Sequence, residues 1–167
     1  DEVEEALSAI EWETIFFFCG LFTVIGALDH AGVIKALAQL ALDLTHGNIA
    51  LTALLILWVS GLASATIDNI PYVATMIPLI EKMVEGMGYS IHSPHVDALW
   101  WSLALGACLG GNATVIGASA NVVVSGIARR HGHGFSYMEF LKIGAPLTFV
   151  ALVISTIYIF VRYLLFL

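Results

Sequence analysis

One carboxylate stands alone in a long apolar stretch: Asp68 is the only Asp, Glu, Lys or Arg between Asp43 and Glu81. Ser64 and Thr66 precede it, and Asn69 and Pro71 follow. Farther along, Gly110, Gly111, Asn112, Thr114, Ser119 and Asn121 interrupt a second apolar run. An Asn amide offers one carbonyl oxygen and two N–H donors, and each Ser or Thr adds a hydroxyl. Together with a carboxylate, these groups suit the binding of a small ion or the passage of a proton. Intramembrane hydrolysis would need a paired second Asp, a Ser/His dyad or a metal set, and Asp68 has no such companion. A carboxylate at membrane depth costs about 2.5–3.5 kcal/mol on insertion scales and usually marks an ion or proton path. The same side chain also caps helices by accepting from backbone N–H groups. The two roles are compatible.

Other residue types carry less. The six His, at 30, 46, 92, 95, 131 and 133, fall outside the uncharged runs. The pairs His92/His95 and His131/His133 lack a third ligand nearby, so they read as solvated or interfacial rather than as metal sites. Cys19 and Cys108 sit in apolar runs without CxxC spacing and read as small buried hydrophobes. Small residues recur at spacing four: Gly106, Gly110, Thr114, then Gly117, Asn121, Ser125. For Gly106, Gly117 and Ser125 this reads as close helix packing. Packing explains Asn112 and Asn121 less well, because buried amides need partners.

The composition says what must position these groups. Of 167 residues, 59% are apolar and 11% charged, with a mean hydropathy of +0.92. A soluble domain carries about 25% charged residues and leaves about a third of its unfolded surface exposed. Soluble, disordered, coiled-coil and disulfide-scaffold classes are therefore excluded in favour of an all-α integral membrane protein. Six of the 13 acidic residues lie in the first 13 positions, so the net charge of -7 is mostly local. No basic stripe supports nucleic-acid binding.

Charge-free windows give the organisation. Residues 14–28, anchored by Trp12, are a crossing helix, and residues 31–44, with Lys35, Gln39 and Asp43 on one side, an amphipathic interfacial helix. Residues 49–80 form two unequal apolar arms around Asp68-Asn69-Ile70-Pro71, the pattern of a re-entrant hairpin. Residues 81–97 read as a polar loop. Residues 98–128 are 31 residues without a charge, about 46 Å as one helix and too long for a single crossing. A break at Gly110-Gly111-Asn112-Ala113-Thr114 resolves the excess. Residues 143–161 are the last crossing. Arg129, Arg130 and Lys142 place the 129–142 loop in the cytoplasm and the C-terminus outside, with the acidic start inside.

At these breaks the sequence resembles a known family. Ser64-Ala65-Thr66-Ile67-Asp68-Asn69-Ile70-Pro71 and Gly106-Ala107-Cys108-Leu109-Gly110-Gly111-Asn112-Ala113-Thr114-Val115-Ile116-Gly117-Ala118-Ser119-Ala120-Asn121 are similar to the ArsB/NhaD permeases of the ion-transporter superfamily, which carry a citrate-transporter-like domain, in the branch of the melanocyte P protein. The opening Glu11-Trp12-Glu13-Thr14 and the segment from His131 to Phe140 fit as well. The resemblance implies two inverted repeats, each with a hairpin and a broken helix, of which this chain supplies the C-terminal one. It implies a substrate and ion site from Ser64, Asp68, Asn69 and Pro71 at the hairpin tip and Gly110, Gly111, Asn112, Thr114, Ser119 and Asn121 at the break. Dicarboxylate carriers among the distant relatives have Ser-Asn-Thr at the tip. Asp68-Asn69-Ile70 keeps the Asn, loses both hydroxyls and gains a carboxylate, which argues for proton or cation coupling.

The expected function is thus secondary active transport of a small ion or oxyanion, of the arsenite, sodium or anion class, with Asp68 as coupling carboxylate. A passive anion channel of the same fold is the rival, with an intramembrane hydrolase a distant third. No enzyme activity and no cofactor beyond a coupling sodium ion or proton is expected. The expected partners are the bilayer, a preceding repeat of the same transporter, the ion substrate and a second copy in a homodimer.

Overall fold

The computed structural model describes residues 12–165. The acidic residues 1–11, expected on the cytoplasmic side, lie outside them. Seven α-helices and no strand occur among the described residues. They are α1 (Trp12–His30), α2 (Val33–Thr45), α3 (Ile49–Ser64), α4 (Asn69–Gly86), α5 (Asp97–Gly110), α6 (Ser119–Arg130) and α7 (Tyr137–Ile159). Short 3-10 turns lie at Pro94–Val96, Gly111–Ala113 and Val115–Gly117, and a π-helical turn, Phe160–Leu164, extends α7.

The chain's punctuation explains these boundaries. Gly32 takes φ 77°, a left-handed conformation that glycine adopts without a Cβ penalty, and α1 and α2 bend there by 66°. The Asn48 side chain accepts from the Leu51 N–H at 3.1 Å and starts α3. A reciprocal capping box starts α7: Ser136 Oγ accepts from the Glu139 N–H, and the Glu139 carboxylate accepts from the Ser136 N–H at 2.7 Å. This box sets the helix to begin at Tyr137, so Lys142 lies in α7 and the basic loop is shorter than the expected 129–142.

The polar loop expected from Glu81 also begins later. α4 continues to Gly86 because Met83 and Val84 are wholly buried and Lys82 pairs with Asp29 of α1 at 3.0 Å. The second break is longer than expected as well, covering both 3-10 turns up to Ala118. Cys19 and Cys108, expected to be buried, are exposed, because each lies on a helix face turned away from the packed interior.

Tyr137–Leu164, 28 residues whose most apolar 18-residue stretch has mean hydropathy 2.1, is long and apolar enough to cross a membrane. The bent pair α1–α2 meets the same test if taken as one span, and α3 is apolar but shorter. One or two candidate spans therefore occur among the described residues by length and composition. α4 has 18 residues but includes Glu81, Lys82 and Glu85.

Among membrane helices, lipid removes most of the hydrophobic drive to associate, so close van der Waals packing has to supply it. α3 and α5 pack more extensively than any other pair, and glycine permits the approach. A Cβ on Gly110 would fall 2.3 Å from the Gly61 carbonyl oxygen, and one on Gly106 2.5 Å from that of Leu57. Both obstacles are backbone, which cannot swing aside. By contrast, a Cβ on Gly86 meets only the Leu42 Cδ1 methyl, at 2.6 Å. Leu57, Ile80, Met83 and Leu99 are wholly buried around this contact. The α3–α5 approach sets the two chain breaks side by side.

Gly110→Ala and Gly106→Ala should each lower stability by about 1–3 kcal/mol, the usual cost of overpacking. Gly86→Ala should cost clearly less. Thermal unfolding of the detergent-solubilised full-length protein checks the order; equal midpoints for the three variants would refute the backbone-contact account.

Candidate functional site

Four helix ends converge where α3 stops, α4 starts, α5 stops and α6 starts. The hairpin tip is held first by its own carboxylate. Asp68 precedes α4, and its Oδ1 accepts from the Ile70 N–H at 3.1 Å. Its Oδ2 accepts from the Ser119 hydroxyl at 2.7 Å, and Ser119 is the first residue of α6. One carboxylate thus serves the starts of two half-helices, each carrying the partial positive charge of its aligned peptide dipoles. Asp68 is half-buried and Ser119 exposed. The helix-capping reading of Asp68 agrees with this geometry.

Behind the carboxylate lies a buried polar layer. Ser64, wholly buried at the last turn of α3, has one hydroxyl proton and two acceptors in reach, the Ala107 carbonyl at 2.6 Å and Asn69 Oδ1. Asn69 also borders the second break, since a Cβ on Gly111 would lie 3.1 Å from its Oδ1 and 3.3 Å from its Nδ2. A side chain at 111 would crowd that amide. Pro71 sits in the first turn of α4, where a missing N–H leaves nothing unpaired.

The second break is pinned to the hairpin by its own polar groups. The Thr114 hydroxyl donates to the Ala65 carbonyl at 2.6 Å and accepts from the Gly117 N–H at 2.9 Å. The Asn121 amide N–H groups donate across the break to the carbonyls of Gly111 and Thr114, both at 3.0 Å. A Cβ on Gly117 would lie 2.7 Å from the Gly111 carbonyl and 2.9 Å from that of Ser64. The gap between α5 and α6 is therefore a folded, hydrogen-bonded element. No side chain caps α6, and the one hydroxyl at its start is spent on Asp68.

Of the residues expected from sequence, Ser64, Asp68, Asn69, Pro71, Gly110, Gly111, Thr114, Ser119 and Asn121 come together around this junction. Asn112 is placed elsewhere. Asn112 is exposed and borders an open cavity of about 410 Å³ with Leu109, Phe140, Gly144 and Thr148. Its carbonyl is the one that a Cβ on Gly144 would meet, at 2.7 Å. Thr66 bonds the Ala63 carbonyl of its own turn. Of the small-residue stripe, Gly106 and Gly117 make tight contacts, whereas Gly126, beside Ser125, has open space around it. Sequence reasoning missed one pair: the Tyr72 hydroxyl donates to Ser60 Oγ at 3.0 Å and ties the two hairpin arms. The signal was there, since Ser60 lies one turn before Ser64 on a charge-free helix.

Comparison with known proteins bears on this site. The sequence profile of the citrate transporter family, CitMHS, matches residues 1–106, taking in the hairpin tip and ending within α5. An uncharacterized transporter of Mycobacterium tuberculosis is 54% identical over 159 residues, 95% of this chain and 36% of that protein. The 46 kDa membrane protein of Mycobacterium leprae is 46% identical over 163 residues, 98% of this chain and 37% of that protein. The P protein of Homo sapiens is 41% identical over 167 residues, 97% of this chain and 20% of that protein. The chain thus spans a little over a third of the mycobacterial relatives and a fifth of the P protein. No solved structure matches it. The family match over residues 1–106 and homology along nearly the whole chain lead to one conclusion: the chain belongs to the citrate transporter family CitMHS, a family of membrane transporters and not of enzymes.

Proposed function

We propose that this chain is the C-terminal repeat of an ArsB/NhaD-type secondary transporter of a small ion or oxyanion, coupled to protons or sodium through Asp68. In this reading α1, the broken pair α5–α6 and α7 cross the bilayer, α2 lies at its surface, and α3–α4 form a re-entrant hairpin. The observation that carries it is the shared carboxylate: Asp68 bonds the starts of α4 and α6 at once. Such a group ties two broken elements together when ionised. When neutralised by a proton, or drawn toward a cation, it accepts less strongly from Ser119 and the Ile70 N–H. That difference couples ion occupancy to the geometry of the junction. Substrate would bind against the backbone of the Gly110-Gly111 break, with oxygen ligands from Asn69 and Asn112. Asn112 itself borders the cavity beside Phe140.

A passive anion channel of the same fold is the second reading. It is favoured by the start of α6, which no side chain caps and which therefore offers backbone N–H groups to an anion.

Lumenal pH in proteoliposomes of the full-length transporter, under imposed sodium, chloride, citrate or arsenite gradients, separates the two. A carrier gives a pH change or sodium flux driven by one gradient and lost in Asp68→Asn, with folding intact. Coupling retained in that variant removes Asp68 from the mechanism. Ser119→Ala should reduce coupled flux about threefold, in line with loss of one hydrogen bond. A current linear in voltage, without saturation or coupling, establishes the channel. For orientation, a single Cys at position 133, with Cys19 and Cys108 replaced, should react with impermeant maleimide only from the cytoplasmic side; labelling from outside reverses the assigned topology.

A further inference from the structure

The far end of α7 carries a cation that the transport reading does not use. Arg162 lies in the π-helical turn Phe160–Leu164, a kind of helix irregularity that often occurs at functional sites. One face of its guanidinium is engaged: Cζ stands 5.1 Å from the centroid of the Tyr163 ring. Its N–H edges bond no protein group among the described residues, where the one ion pair joins Lys82 to Asp29. Tyr163 in turn carries two further aromatic side chains. Trp101 stacks on Tyr163 at 6.4 Å, and Tyr158 meets Tyr163 edge to face at 6.1 Å. Trp and Tyr of this kind settle at the level of lipid headgroups.

From Arg162 an apolar groove runs back along α7. Ile154, Ile157, Tyr158 and Val161 line it with Arg162, around about 590 Å³ of open space. The spacing of these residues puts them on one helix face, so the groove extends about 10 Å into the apolar part of the span. A guanidinium with free N–H edges calls for a planar or tetrahedral oxyanion, for which its fork geometry is well matched. The attached apolar groove calls for hydrocarbon on the same molecule.

We propose that Arg162 and the Ile154–Val161 groove form a phospholipid site, in which the guanidinium holds the phosphodiester of an anionic lipid and the groove seats an acyl chain. Tyr163 backs the guanidinium and keeps its edges turned outward, while the Tyr158 hydroxyl lies at headgroup level.

Native mass spectrometry of the full-length transporter titrated with phosphatidylglycerol tests this, with phosphatidylcholine as the zwitterionic comparison. Wild type should retain phosphatidylglycerol in preference to phosphatidylcholine. Arg162→Gln should lose about fivefold in phosphatidylglycerol retention, the usual worth of one basic residue facing anionic lipid, and Arg162→Lys should keep most of it. Ile157→Ser, which leaves the charge in place, should weaken retention of both lipids, and it tests the groove even if Arg162→Gln fails to fold. Equal retention in wild type and Arg162→Gln overturns the proposal. Equal competition by millimolar inorganic phosphate also overturns it, because a bare anion site needs no hydrocarbon.

Discussion

A helix broken inside hydrocarbon releases backbone N–H and C=O groups that have no water to turn to, and each one left unpaired costs several kcal/mol. This chain breaks twice, and the two breaks answer each other. The Ala65 carbonyl, freed where α3 stops, takes the Thr114 hydroxyl from the second break. The Gly111 and Thr114 carbonyls, freed where α5 unwinds, take the two N–H groups of Asn121. The N-terminal turn of α4 takes Asp68, which also reaches Ser119 of α6. In the proposed reading, with both breaks inside the bilayer, neither would be satisfied alone. Everything else in the fold serves to hold them together, above all the glycine contact that lets α3 and α5 approach backbone to backbone.

The same mutual satisfaction makes the junction chemically responsive. Its oxygen atoms come from one carboxylate, hydroxyls, amides and main-chain carbonyls, a set that binds protons and small ions without any redox partner. The two half-helix starts add fixed positive potential that favours negative charge at the same spot. A carboxylate of this protein already occupies that potential. In the proposed reading, ion binding there would compete with an internal hydrogen-bond network instead of filling an idle cavity, which would link occupancy to local structure.

Much of this was legible because breaks in apolar segments leave strong marks. Asp68-Asn69-Ile70-Pro71 combines a capping side chain with a proline suited to a first helical turn, and a 31-residue uncharged window is simply too long for one crossing. Boundaries set by local chemistry were legible in principle: Ser136 and Glu139 spell a capping box that fixes the start of α7. Other features depend on tertiary contact. Nothing near Glu81 announces that Lys82 will find Asp29 on another helix and keep α4 going. Nothing in the spacing of Ser119 reveals a partner 51 positions away. That Asn112 borders the cavity beside α7 depends on what packs over the unwound turn, and a linear motif does not record it. For the cysteines, an apolar neighbourhood in the sequence did not distinguish a packed face from one turned outward.

The narrow space between Gly111 and Asn69 has a consequence for how this sequence can vary. An added methyl at 111 would press on the amide that shares the Ser64 proton, so the free energies of changes at 64, 69 and 111 will not add. A shorter side chain at 69 relieves only part of the crowding at 111, because a Cβ there also meets the Gly117 carbonyl oxygen at 2.8 Å. Position 111 is thus held small by main chain as well as by the amide, and changes at 64 and 69 alone will not free it.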